Sequence, residues 1–598
     1  MKPRLAKLTT LAAALLLAAC EPGRPTGPAV FRPPATPPVV TLEKVSGDGQ
    51  TVPVDQALPE PLVLRVLDAS GRPAAGVAVR WGHTANGLVS PAESVTDGAG
   101  IASTRWTPRT PGPQSATATV ASGSGQVTAA FHASAVGRPE KVVLNPAEGL
   151  RIQPGASSGL GAYVQDAYFA VVPARVTWSS SDTTVAQVDS LGRVTGRKPG
   201  SAVVTASTGE IRATAPVRVV RPLLATSVSA AGHACAVTPD RRAFCWGSNY
   251  AGQLGDGSTT SSAAPVPVAG GPAWTQVAAG FGFTCGLDAG GRAQCWGSNR
   301  NAELGTGSTD ASPHPVPQPV AGGLAFRSVA AGGMAACGLT ADGRAHCWGY
   351  FPLTDSATYR GTCVSSGWCT PAPRPVSDSL SFAQLSIGSS AICGVATAGR
   401  AYCWGANNRT GVLGNGTMEG SVVPRPVAGD LRFRYVATAA DHTCGITVEG
   451  AAYCWGASRF GQAGTGAATS TYLLSPQPVA GGLSFASLAL GTEHTCGLTT
   501  GGAVYCWGWN VYGQLGDGTR TTRDVPTRIA AEATFGSLSA GSDYACATAT
   551  DGRVFCWGAG QPGSTGVRPE VSLCSEGKGW PMLDCTPRPT VVLGGEGP

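Results

Sequence analysis

Charge is scarce in this sequence: Asp, Glu, Lys and Arg make up only 13% of its 598 residues. No run of basic residues occurs. The formal charge of +6 falls to +3 (6 − 3) once Lys2, Arg4 and Lys7 are assigned to a removable leader. A near-neutral surface leaves no electrostatic footprint for nucleic acid, so no nucleic-acid partner is expected. The composition does not suit long helices, and 83 Gly and 46 Pro suit short strands and many turns. Gly and Pro also enrich disordered chains, but the apolar fraction of 42%, recurring in order, favours a packed fold. Neither C-x2-C pairs nor ligand clusters of zinc sites occur. A nucleophile elbow, an H-E-x-x-H motif and a Gly-rich phosphate loop are absent as well. No catalytic residue, metal or cofactor is therefore assigned. Cysteine is missing between Cys20 and Cys235, although the chain holds 19 in all.

What is present begins with an address. Lys2, Arg4 and Lys7 precede an Ala/Leu-rich run from Leu8 to Ala19. That run is shorter than the roughly 20 apolar residues a membrane helix needs, and it reads as a secretory signal at 1–19. It ends Leu17-Ala18-Ala19-Cys20, which resembles a bacterial lipobox. The resemblance implies cleavage before Cys20 and lipidation of its sulfur, with several acyl chains giving a stable membrane anchor. Glu21 at the next position implies export to the outer membrane or cell surface of a bacterium. A soluble secreted protein is the alternative. The Pro-rich segment 20–37 is an extended spacer.

Residues 38–136 show short alternating runs between turn signals. Leu62, Leu64 and Val66 share a face, as do Val77, Val79 and Trp81, and then Ala102, Thr104 and Trp106. This is the pattern of a β-sandwich. The order "LRVLDASGRPAAGVAVRW" resembles the invasin-type bacterial Ig-like domain. Residues 137–220 resemble a second bacterial Ig-like type through "VTWSSSDTTVAQVDSLGRVTGRKPGSAVVTAS". There Trp178 is expected to anchor a core with Val185, Val188, Val194 and Val203. Such domains act as spacers in surface proteins, and a direct adhesive role is the alternative.

Residues 221–598 carry seven copies of Cys-(nine residues)-Cys-Trp-Gly, spaced 50 to 56 residues apart. A period near 50 built of short strands indicates a propeller. The copy "GTEHTCGLTTGGAVYCWGWNVYGQLGDGT" resembles the regulator-of-chromosome-condensation repeat. That resemblance implies a seven-bladed β-propeller with four strands per blade. The expected fold class is therefore all-β: two Ig-like β-sandwiches, then a seven-bladed β-propeller closed by the C-terminal strand. Each blade is expected to open with a Pro-x-Pro-Val strand. The first copy then lacks one, and Pro587–Val592 is assigned to complete it.

The paired cysteines flank a hairpin turn, so a spacing of ten sets them directly opposite each other. Seven disulfides are expected within the blades. They join Cys235 to Cys245, Cys285 to Cys295, Cys337 to Cys347, Cys393 to Cys403, Cys444 to Cys454, Cys496 to Cys506, and Cys546 to Cys556. Such bonds imply an oxidising compartment. The Trp after each second cysteine is expected to pack between blades, with a ring of aromatics lining a channel as the alternative. His233, His442 and His494 recur in three copies only and are read as structural.

Two copies depart from the rest. After Cys347 and after Cys556 the Gly-rich turn is replaced by longer segments that carry the further pairs Cys363/Cys369 and Cys574/Cys585. Each segment holds a Trp, Trp368 or Trp580, and the first also holds Tyr359. These three residues are candidate binding-loop positions. A variant turn stapled for stability is the alternative. The assembled reading is a surface-anchored, non-catalytic binding or adhesion lipoprotein that recognises a protein or glycan partner. A secreted propeller lyase or hydrolase is a second reading, and guanine-nucleotide exchange by family analogy is the least favoured.

Overall fold

The computed structural model describes residues 39–350, 363–364, 369–405, 409–559, 573–574 and 583–594. Among them every regular element is a β-strand. Cys20, Tyr359, Trp368 and Trp580 lie outside the described residues.

Residues 39–136 form two sheets of four and five strands. Leu62, Leu64 and Val66 of strand Leu62–Asp68 are fully buried, and their core includes Val79, Trp81, Trp106 and Phe131. Alternation along each strand thus places one apolar row inside.

In residues 141–219, Ala202, Val204 and Ala206 of strand Gly200–Thr208 face the core. Val203 points to solvent, contrary to the expectation from sequence, and Trp178 is only half-buried. Val203 and Val204 are adjacent, so hydrophobicity alone does not say which of them faces inward. A shift of one residue exchanges the two faces of a strand.

Among the described residues from 227 onward seven antiparallel sheets follow one another, at 227–267, 274–319, 328–375, 382–426, 433–478, 485–528 and 535–591. They are called copies one to seven below. In each, the two cysteines stand on the second and third strands, directly paired across a short hairpin, as Cys235 is with Cys245. The Pro-rich strand is the fourth, and in copies one to six it is the outermost. Pro has no N–H to give a neighbouring strand and is tolerated at a sheet edge.

This corrects the expected blade boundary. The Pro-rich strand ends its own copy and does not open the next one. Copy one has such a strand, Ser262–Pro267, paired with Ala243–Gly247. The chain's last strand, Leu583–Val591, pairs with Val554–Ala559 in copy seven, not with the sheet holding Cys235. The period is the same whichever copy the strand is assigned to, so repetition alone does not locate the boundary.

The ends of the array nevertheless meet. Ser227–Ala230 of copy one packs beside Phe535–Ala540 of copy seven. The Ala230 N–H donates to Ser539 Oγ over 2.9 Å. The lead-in at 221–223 hydrogen-bonds the chain's tail, with Leu223 N–H on Val592 O and Gly594 N–H on Arg221 O, both at 2.9 Å. The sheets form a β-propeller whose ends are joined by this short exchange.

Candidate binding face

The seams between copies are set by two repeated contacts. The first uses the Trp after the second cysteine. Its indole N–H donates to a backbone carbonyl in the Gly-rich turn of the preceding copy: Trp296 to Gln253 at 2.9 Å, Trp348 to Glu303 at 2.9 Å, Trp455 to Val412 at 2.9 Å, Trp507 to Gln462 at 3.0 Å and Trp557 to Gln514 at 3.1 Å. All seven of these Trp side chains are buried. They pack between blades, and Trp404 also borders a hollow on the rim. The two sequence features seemed separate along the chain but are partners across a seam.

The second contact uses the residue two before each first cysteine. His233 Nε2 lies 2.5 Å from Thr284 Oγ1 of copy two, and His442 Nε2 lies 2.8 Å from Thr495 Oγ1 of copy six. These histidines are fully buried, and burial pushes them down to about 3. His494 is lowered to about 4 for the same reason. The following copy offers Ala545 where the threonine would stand, and neither ring nitrogen of His494 has a hydrogen-bond partner among the described residues. All three rings are neutral parts of the wall.

Within each copy, the paired cysteines staple the second strand to the third. The seven hairpin pairs are joined as disulfides with Cα atoms 4.0 to 4.1 Å apart. Cys363 and Cys369 are also joined, with Cα atoms 5.6 Å apart, and they pack with Ala302 and Tyr350. Cys585 is disulfide-bonded and packs with Tyr512 and Ala559, while the side chain of Cys574 lies outside the described residues. Replacing Cys444 and Cys454 by alanine reopens a loop of about 11 residues and is expected to cost up to about 3 kcal/mol. Calorimetry of the double variant beside the parent measures it, and an unchanged midpoint would show the bond is dispensable.

The turns between the first and second strands of successive copies form one rim. They touch from copy to copy: the Phe281 N–H donates to Gly333 O at 2.9 Å, and the Thr492 N–H to Ser542 O at 3.0 Å. A Cβ on Gly541 would stand 2.5 Å from Ala231 O, so only glycine allows the approach there.

The rim is uneven in chemistry. Copies two and three present Phe281 and Met334, both exposed, with exposed Tyr250 nearby. Copies five to seven present Asp441, Glu493 and Asp543 at the matching turn, with Glu493 ion-paired to Arg459. One carboxylate sits deeper. Glu303 occupies the position of the Gln in Gly-Gln-Leu-Gly and is buried; desolvation raises its pKa. It accepts hydrogen bonds from the Asn301 N–H at 2.7 Å and from Asn301 Nδ2 at 2.8 Å. Among the described residues no group of three His, Cys, Asp or Glu side chains is placed to hold a metal ion.

Two hollows adjoin the apolar side of the rim. One, of about 290 Å³, is lined by Phe281, Met334, Ala335, Tyr350, Ile392 and Trp404, among others. The other, of about 270 Å³, shares Phe281 and Met334 and adds Tyr250 and Glu303. Sequence reading did not find this face. The signal was present in the residues two before the first cysteine, which are ring-bearing in five copies and alanine in copies three and four.

Strand order and rim together define a β-propeller that follows the sandwich-forming residues in the chain. The Regulator of chromosome condensation (RCC1) repeat matches residues 240–287, 398–446 and 501–548, and a second form of it matches 274–302, 434–462, 485–514 and 537–561. The Bacterial Ig-like domain (group 1) matches 48–132, and group 2 matches 149–219. The chain thus carries two bacterial Ig-like domains followed by RCC1 repeats. It is similar to the Ultraviolet-B receptor UVR8 of Arabidopsis thaliana, 34% identical over 164 residues, which cover 27% of this chain and 37% of the receptor. It is also similar to RCC1 domain-containing protein 1 of Mus musculus, 29% identical over 200 residues, covering 27% of this chain and 53% of that protein. The chain therefore spans roughly a third to a half of the length of these relatives. Among solved structures, yeast RCC1 (Prp20) bound to Kap60 overlays with a TM-score of 0.51 at 22% identity, covering 62% of this chain and 85% of that one. That likeness shows the propeller fold.

Proposed function

We propose that this chain is a surface-anchored, non-catalytic binding lipoprotein whose seven-bladed propeller recognises a protein or glycan partner. The observation that carries the reading is the uneven rim, with exposed Phe281, Met334 and Tyr250 gathered over two hollows on an otherwise disulfide-joined scaffold. Clustered exposed aromatics on a rigid frame are the usual anchors of a recognition surface. The Ig-like domains serve as a stalk, and Cys20 carries the acyl anchor. The disulfides suit an exported chain. They argue against cytosolic nucleotide exchange, and fold likeness does not carry that function across.

The expected result of a capture experiment from the native surroundings is a partner retained by the full chain. A variant lacking 359–369 and 572–585 is expected to lose it if Tyr359, Trp368 and Trp580 are contact residues. Unchanged capture would remove the loops from the reading. A mature mass without acyl chains on Cys20 would remove the anchor.

A further inference from the structure

Resting on the reading of this face as a recognition surface, we propose that the hollow between copies three and four is a seat for a planar aromatic side chain supplied by a protein partner. The fold itself shows what such a seat takes. Two residues before the first cysteine, five copies supply a ring from within: His233, Phe283, His442, His494 and Tyr544. All five are buried. In copies three and four that residue is Ala335 and Ala391, and both line the hollow.

The neighbouring seam shows the filled state. Phe283 of copy two shares a core cluster with Ala336 and Trp348 of copy three. The matching positions around the hollow are Ala335, Ile392 and Trp404. Ile392 takes up some of the space, but about 290 Å³ stays open to one side. A cavity of about 150 Å³ holds a benzene ring, so this one accommodates an indole or phenol ring. The lining is mostly apolar and holds no charged side chain, with Tyr350, Ser389 and Ser390 as its side-chain hydroxyls, so the ring is uncharged.

The surroundings select a side chain over a free small molecule. Phe281 and Met334 are 56% and 42% exposed and continue the apolar surface into the second hollow, where Tyr250 is 63% exposed. A free ring in the seat leaves that surface wet. A partner segment whose aromatic side chain enters the seat covers it as well, which is the arrangement of a buried anchor with a surrounding rim.

The test uses the full chain and three probes: the blocked peptide acetyl-Gly-Ala-Trp-Ala-Gly-amide, the same peptide with Ala for Trp, and indole. Binding is read from the peptide by fluorine NMR with 5-fluorotryptophan and by calorimetry. Saturable binding of the Trp peptide is expected, several-fold tighter than indole and absent for the Ala peptide. The pair Ala335→Phe with Ile392→Ala reproduces the filled seam between copies two and three, and is expected to weaken binding by about tenfold or more. Met334→Lys, at an exposed mouth position, tests the same seat without touching the core and is expected to weaken it too.

No saturable binding to the parent chain, or undiminished binding to both variants, overturns the seat. Indole binding as tightly as the peptide overturns the side-chain assignment. If the captured partner is retained by Ala335→Phe/Ile392→Ala, the seat fails while the recognition reading stands. If the parent chain captures nothing, the recognition reading itself fails.

Discussion

Replacing Trp507 by alanine is expected to destabilise the propeller by about 3–5 kcal/mol, the usual range for a fully buried Trp or Phe truncation. The side chain is buried in the seam between copies five and six, where its cluster includes Leu488, Ala463 and Ile446. Its ring centre lies 5.8 Å from that of Phe485. The indole N–H donates to Gln462 O at 3.0 Å, and Thr495 Oγ1 donates to the same carbonyl at 2.9 Å. Gly464, two residues further along the turn, has φ +68, and a Cβ there would come within 2.6 Å of the indole nitrogen. The turn is thus shaped around the indole. Trp507→Phe separates the two contributions, since it keeps most of the packing and loses one hydrogen bond of about 1 kcal/mol. Gln462 O keeps its bond from Thr495, so no buried carbonyl is orphaned. Trp404→Ala is expected to cost less, because Trp404 borders a hollow already open to solvent. Denaturant unfolding of the three variants gives the order, and equal losses for Trp507→Ala and Trp404→Ala would refute this account of the seams.

Acidification from about pH 6.5 toward pH 4 is expected to destabilise the propeller steeply through three histidines. His233 and His442 titrate at about 3 and His494 at about 4, against an ordinary value of 6.5, because burial opposes the charged form. The folded state therefore binds fewer protons than the unfolded state throughout that window. Their contribution is complete above 6.5 and is lost as pH falls through the window toward the folded values. Each histidine costs about 1.4 kcal/mol per pH unit once the unfolded chain is protonated. His494→Phe tests this directly. Copy two already uses Phe283 in the matching place, and the His494 ring nitrogens have no hydrogen-bond partner to lose among the described residues. That variant is expected to unfold with a shallower pH slope and to be more stable than the parent at pH 5. Thermal unfolding midpoints between pH 4 and 8 check it, and parallel slopes for parent and variant would overturn it.

Copies three and seven, which lack the Gly-rich turn, precede Trp404 and Trp246 in the ring. Across the seam that joins copies three and four, Ala335 replaces the inward ring and a hollow opens. Loss of the turn and loss of the ring thus coincide at a seam that borders the exposed aromatics. A recognition face on a propeller is most economically made where the regular packing between sheets is relaxed, because the other seams keep the frame rigid.

Sequence by itself determined the local structure of this protein. A spacing of ten residues about a short turn places Cys235 opposite Cys245 and Ala236 opposite Phe244, because hairpin register is fixed within a few residues of chain. The same locality made the alternating rows of Leu62, Leu64 and Val66 legible, and the seven-fold recurrence announced a propeller. Where two adjacent residues were equally apolar, as Val203 and Val204 are, locality was not enough. Only the tertiary structure decided what lies across a seam. The Pro-rich strand belongs to the copy before it, the Trp of one copy binds the turn of the preceding one, and the alanines of copies three and four leave a hollow. The Trp contacts, for example, join residues 43 to 45 positions apart. A periodic sequence reads the same whichever neighbour they are assigned to, so geometry around the ring is what selects the partner.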